Sequence, residues 1–189
     1  MRFIPYGHQS IDDEDIQCVV EVLKSDWLTT GPTVDRFERE LASYVGARHA
    51  VAVNSGTSAL DIAVQALDLP KGSEVITTPF TFAATSNAIL YNDHVPVFAD
   101  IDPVTRNIRP DDIRRRITPK TRAIIYVDYA GHPCAIDEIR EIAQEHELRL
   151  IEDACHAFGA SYKSRKIGTS ADMTICSFHP VKPIATGEG

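Results

Sequence analysis

No stretch of the 189-residue sequence approaches the roughly 18 uncharged apolar residues that a membrane-spanning helix needs, and the opening "MRFIPYGHQS" has no apolar run of the kind that directs secretion. Both lacks make a cytoplasmic home, with no membrane partner, the expectation. Basic residues are also scarce, with Lys and Arg numbering 19 against 27 Asp and Glu and a net charge of -8. That balance disfavours nonspecific attraction to nucleic acid or an anionic surface, although a local patch can still bind a phosphate. The longest charge-rich run, "DDIRRR" at 111–116, mixes signs and reads as the solvated face of a short helix.

Metal-site spacing is missing as well. Cys18, Cys134, Cys155 and Cys176 form no CxxC pair and no zinc-ribbon pattern, so they read as buried thiols in a reducing compartment. Asp153, Cys155, His156, Cys176 and His179 would need to converge to hold a metal; on a strand Cys155 and His156 point to opposite faces, so no metal is expected. Neither GxGxxG nor GxxxxGK(S/T) occurs, which leaves a Rossmann dinucleotide site and a P-loop without support.

What the chain does have is 43% hydrophobic residues, enough for one domain with a core. Short, nearly continuous apolar runs predict strands at "AVAVN" (50–54), "EVITT" (74–78), "VPVFAD" (95–100), "RAIIYVDY" (122–129), "RLIEDA" (149–154) and "DMTICSF" (172–178). Such runs are the pattern of parallel strands covered on both faces. Helical stretches lie between them: "SALDIAVQAL" (58–67), "FAATSNAIL" (82–90) and "AIDEIREIAQEHE" (135–147), the last with Ile136, Ile139, Ile142 and Ala143 on one stripe. The fold class is therefore α/β, a mostly parallel sheet flanked by helices. Two acidic amphipathic helices, "DDEDIQCVVEVLKS" and "VDRFERELASYVG", form a helical lead-in over 1–48, leaving 49–189 as the sheet-containing part.

In open α/β sheets, ligands sit beyond the carboxyl ends of the strands, and those ends carry unusual residues here. "VNSGTSAL" runs through Gly56 and Thr57 into a helix, where two hydroxyls, a glycine and free N–H groups suit a phosphate; simple N-capping by Ser55 or Thr57 accounts for the same residues. "IEDACHAFGA" puts Asp153 at the sheet's carboxyl edge, able to cap a helix, pair with a cation or hold a protonated ring nitrogen, with Glu152 on the opposite face. "TTPFTFAAT" places Phe80 and Phe82 where an aromatic ring can lie against a flat ligand or simply join the core. "SFHPVKPIATGEG" then delivers Ser177 and holds Lys182 between Pro180 and Pro183, either as an aimed amine or as an ordinary solvated side chain past a strand end.

Together these pieces specify pyridoxal phosphate (PLP), which needs a lysine, a phosphate cradle, a carboxylate against its pyridinium nitrogen and a ring packed on one face. The order "NSGTSAL", "TTPFTFAAT", "VDYAGHP", "EDACHAFGA", "SFHPVKPIATGEG" closely resembles the sugar-nucleotide aminotransferases of the DegT/DnrJ/EryC1/StrS family, which have the aspartate aminotransferase type fold (fold type I). The resemblance implies that Lys182 bonds covalently to PLP, that Asp153 partners the pyridinium and that His156 lies beside the phenolic oxygen. It further implies Phe82 as the stacking ring, and Gly56, Thr57 and Ser177 as phosphate contacts.

Within the family, "VDYAGHP" with "SFHPVKPI" looks most like the members that aminate a UDP-linked 4-keto-6-deoxy-N-acetylhexosamine at C4 on the route to pseudaminic acid. Glutamate is the expected amino donor. Action at C3, or on a dTDP- or GDP-linked sugar, and a non-catalytic PLP-fold fragment are the alternatives; a sugar dehydratase of the family would carry histidine where Lys182 stands. The loops "YGHQS" (6–10) and "DWLTTGPT" (26–33) are free to cover the site, which makes Tyr6, Thr29 and Thr30 candidate substrate contacts, unless Trp27 and Leu28 merely pack the lead-in helices on the sheet. Members of the family are longer, homodimeric chains with a C-terminal small domain. The present chain is therefore expected to be the front part of something longer, lacking that domain and inactive by itself.

Overall fold

The computed structural model describes residues 7 and 9–187; Tyr6, a candidate substrate contact, lies outside the described residues. Two helices lead in, α1 (Asp13–Lys24) and α2 (Pro32–Val45). A capping box starts α1: the Asp12 side chain accepts the amides of Glu14 and Asp15, and Asp15 accepts the amide of Asp12. Pro32 opens α2, and Gly46, at φ 82°, closes it in the left-handed conformation that glycine tolerates. Because α1 buries none of its residues, Cys18 is exposed, which corrects the expectation of four buried thiols; Cys134 is buried, and Cys155 and Cys176 are half-buried.

From there the chain alternates. It runs through α3 (Gly56–Ala66), β1 (Glu74–Thr77), α4 (Ala84–Tyr91), β2 (Val95–Phe98), α5 (Pro110–Arg116), β3 (Thr121–Val127), α6 (Ile136–Glu145) and β4 (Arg149–Asp153). A small antiparallel hairpin, β5 (Ser161–Tyr162) with β6 (Arg165–Lys166), precedes β7 (Met173–Ile175). The main sheet has the order β2-β1-β3-β4-β7 with every neighbouring pair parallel.

Both faces are covered, as the continuous apolar strands require. Ile125 and Ile151 pack with Leu60, Val64 and Ile89 from α3 and α4, whereas Ile124, Tyr126 and Leu150 pack with Ile136, Ile139 and Ile142 of α6. At about 25 cal/mol per Å² of apolar surface, this double burial is the main term holding the sheet. No helix among the described residues is long and apolar enough to cross a membrane.

Two local expectations change. Residues 50–54 pair with no strand among the described residues: Val51 is 78% exposed, and the Ala52 amide donates to Glu38 Oε1 at 2.8 Å. Composition allows a strand there, but a strand also needs a neighbour's free edge. "DDIRRR" does lie in α5, yet it is more than a solvated face, because Asp112 is buried, accepts the Asp100 amide at 2.7 Å and pairs with Arg115 and Arg116. Those contacts, led by the Asp100 amide, hold the Asp112 carboxyl below its ordinary value. The two-residue strands of the hairpin are too short for any periodic signal.

Candidate active site

Asp153 is the last residue of β4 and is 5% exposed, with Glu152 facing the other side of the sheet. Its Oδ2 accepts the Thr85 hydroxyl at 2.9 Å and its Oδ1 the Cys155 amide at 3.2 Å. One strand over, the Asp128 amide donates to the Asp153 carbonyl at 3.1 Å, so the β3–β4 ladder continues to the last residue before the loops.

The start of α3 comes up beside this carboxylate. Ser55 is the N-cap and accepts the Ser58 amide at 3.1 Å, which leaves the amides of Gly56 and Thr57, in the first turn, without an intrahelical acceptor. A methyl group placed on Gly56 would lie 3.3 Å from both Cys155 Sγ and Ser177 Cβ. Glycine is therefore what lets α3, the turn after β4 and the segment after β7 meet. Ser177 is buried, and its hydroxyl accepts the His179 amide at 3.4 Å.

Past Ser177, backbone hydrogen bonds tie the loop that carries Lys182: the Lys182 amide donates to the His179 carbonyl at 2.8 Å, and the Thr186 amide to the Phe178 carbonyl at 2.9 Å. Phe178 is buried and meets Phe37 of α2 and Phe158 edge-on, at 5.3 and 5.4 Å between centroids. This aromatic packing anchors the base of the loop. The Lys182 side chain is half-buried, and its charge acts on both Cys155 and His156.

His156 lies in the turn that follows β4, with its ring 6.2 Å from that of Tyr129 and approached edge-on. Tyr129 in turn packs on Phe80 at 4.6 Å. Phe82 stands apart from these rings, 77% exposed, with a face available to a flat ligand. Burial, and then the nearby Lys182 cation, hold the His156 imidazole below its ordinary pKa, while Asp153 opposes them. Because Cys155 and His156 lie in a turn, the strand alternation invoked to separate them does not apply. Among the described residues no group of three or more His, Cys, Asp and Glu side chains comes together as a metal site.

A second acidic layer lies beneath the site. Glu152 accepts the Tyr126 hydroxyl at 3.1 Å and the Thr174 hydroxyl at 2.8 Å. Asp128 accepts the Cys134 amide at 2.8 Å on Oδ1, while its buried Oδ2 has no hydrogen-bond partner among the described residues. Burial, followed by the charge of Glu152, pushes the Asp128 carboxyl up to about 7. Burial likewise raises Glu152.

Strand ends, a buried carboxylate, a glycine cradle and a tethered lysine thus share one edge of one parallel sheet. Residues 9–189 match the DegT/DnrJ/EryC1/StrS aminotransferase family. The chain belongs to this family. It is 44% identical over 189 residues to the UDP-4-amino-4,6-dideoxy-N-acetyl-beta-L-altrosamine transaminase of Campylobacter jejuni, a match covering 98% of this chain and 50% of that one. Its fold superposes on Helicobacter pylori PseC, an aminotransferase involved in the biosynthesis of pseudoaminic acid, with a TM-score of 0.95 and 36% identity, covering 97% of this chain and 50% of the other. The Spr1654 protein of Streptococcus pneumoniae, solved in PLP and PMP forms, superposes with a TM-score of 0.95 at 33% identity, over 98% of this chain and 51% of that one. The chain spans about half the length of the curated relatives it matches.

Of the residues singled out by sequence in this DegT/DnrJ/EryC1/StrS member, Gly56, Thr57, Asp153, His156 and Ser177 fall at one edge with the Lys182 loop. Thr29 and Thr30 are exposed in the α1–α2 loop, 3.5 Å apart at their hydroxyls, and among the described residues no hydrogen bond ties them to that edge. Trp27 and Leu28 are 59% and 67% exposed, so they do not pack the lead-in onto the sheet. Gly7 does approach the site: a methyl group on it would lie 3.6 Å from Val181. Sequence reasoning missed Thr85, whose partner Asp153 lies on a distant strand, and Asp128, whose side chain accepts the Cys134 amide from the loop that follows; neither leaves a periodic pattern.

Proposed function

We propose that this chain carries the PLP-binding half of a sugar-nucleotide aminotransferase. In the intact protein it would transfer an amino group, with glutamate as donor, to C4 of a UDP-linked 4-keto-6-deoxy-N-acetylhexosamine. The observation that carries the chemistry is Asp153: a carboxylate 5% exposed, held by two donors, on the same sheet edge as the Gly56 cradle and the Lys182 loop. The relatives' sugar chemistry supports the substrate class.

The residues present fit the cofactor. The bare Gly56 position lets the start of α3 close on Ser177, so that the free amides of Gly56 and Thr57 and the Ser177 hydroxyl lie together and suit the phosphate. Phe82 would cover one ring face, Asp153 would hold the ring N–H and His156, neutral near pH 7, would lie at the phenolic oxygen. Bound PLP supplies an aldehyde for covalent attachment and a ring that accepts electrons.

The chain's own groups do the rest. Lys182 would be the point of attachment for the cofactor, and its amine, once free, would carry the proton at the amino donor's α-carbon. Asp153 keeps the ring nitrogen protonated. The α3 terminus anchors the phosphate so that the reacting carbon stays within reach of Lys182.

Borohydride reduction of the PLP-loaded intact protein should fix the label on Lys182. Label on another lysine, or a Lys182→Ala variant that keeps turnover, would end this reading. Product NMR and side-by-side kcat/KM with UDP- and dTDP-linked 4-keto sugars test the substrate. Preference for the dTDP sugar, or an amine at C3, would move the specificity and leave the cofactor chemistry in place.

A further inference from the structure

The Thr85 side chain is fully buried at the start of α4, and its hydroxyl stands 2.9 Å from Asp153 Oδ2. A second hydroxyl, that of Thr81, is 2.8 Å from the first. The direction of both bonds follows from proton counting. An ionised carboxylate has no proton to give, so Thr85 donates to Asp153; its one proton is then used, and Thr81 donates to Thr85. The same Thr85 gives its backbone amide to the carbonyl of Phe82 at 3.1 Å. One residue is thus bonded to both the edge carboxylate and the segment that presents the exposed ring. The second anchor of the carboxylate, the Cys155 amide on Oδ1, comes from a different element, so the two bonds together fix the carboxylate plane.

We propose that Thr85, oriented by Thr81, is a positioning residue that sets the plane of the Asp153 carboxylate and holds it in register with Phe82, so that edge and face of the cofactor ring are met together. This rests on the reading of Asp153 and Phe82 as ring contacts. Without Thr85's hydroxyl, Oδ2 would sit buried with one partner fewer, free to rotate or to take up a proton, and either change weakens its hold on a ring N–H.

The test uses the intact protein and two readouts, the PLP dissociation constant from absorbance titration and the thermal midpoint of the apo form. Thr85→Val keeps the shape and removes the hydroxyl; it should weaken PLP binding about tenfold, with Thr85→Ser restoring it to within about twofold. In an Asp153→Asn background the same Thr85→Val change should cost less than about threefold, since coupled residues are not additive. Should Thr85→Val fail to fold, Thr81→Ala reads the same chain from its outer end and should weaken binding by about threefold. Wild-type affinity in Thr85→Val, or an equal loss with and without Asp153, would mark a packing role and overturn the proposal alone. Unchanged affinity in Asp153→Asn itself would overturn the reading of Asp153 on which the proposal stands.

Discussion

Gly56 and Ser177, far apart in the chain, stand so close that a methyl group on the glycine would lie 3.3 Å from the serine's Cβ. The contact joins the first turn of α3 to the segment that leads into the Lys182 loop. Gly56→Ala fills the gap and must push Ser177 or Cys155 aside by a few tenths of an ångström. PLP affinity should fall by about tenfold, roughly 1.4 kcal/mol, as read by absorbance titration of the intact protein. The apo thermal midpoint should move little, because the position is in the first helical turn; unchanged affinity would show that the cradle is not where phosphate sits.

Asp153→Asn keeps the side chain's shape and removes its charge. The variant should still be saturated by PLP, about tenfold more weakly, while transamination falls at least about a hundredfold because the ring nitrogen loses its counter-charge. Stopped-flow absorbance of the half-reaction with glutamate reads this directly. Near-normal rates would assign the role to another group.

Asp128 should make stability depend on pH. Its carboxyl is raised from 3.8 to about 7 in the folded protein, so the folded form holds an extra proton across that window. Stability is therefore highest below the unfolded value, falls as pH rises through the window and levels off above about 7. Asp128→Asn keeps an acceptor for the Cys134 amide and removes the charge beside Glu152. Chemical denaturation should show a shallower fall with pH and a gain of about 1–3 kcal/mol near pH 8. An unaltered slope would place the titrating proton elsewhere.

The titration of His156 should report Lys182. Burial and the Lys182 cation both hold the imidazole below its ordinary 6.5, so the ring is neutral at pH 7 and its contribution to stability is lost only as pH falls from 6.5 towards the folded value. In Lys182→Ala one of these two causes disappears. NMR of the imidazole nitrogens should find the midpoint moved upward while burial still keeps it under 6.5. A midpoint that does not move would separate Lys182 from His156.

Much of this architecture was legible in the chain itself. Continuous apolar runs and the 3.6-residue stripe of α6 depend on neighbours a few positions away, so five of six strands and the flanking helices could be read from local pattern. The position of the site residues at the sheet edge could be read too, since Asp153 and the Pro180–Lys182–Pro183 loop follow directly on strand-forming runs, and Gly56 on an apolar run that forms no strand. Tertiary structure decided what no local pattern carries: that residues 50–54 find no strand to pair with, that Cys18 lies on a helix with nothing buried, and that Asp112 sits beneath the arginines beside it. It also chose the partners of Asp153, Thr85 and Asp128, and among the described residues left one oxygen of Asp128 unpaired. Periodicity is a short-range property of the backbone, whereas a hydrogen-bond partner or a shared sheet edge depends on which distant elements pack together.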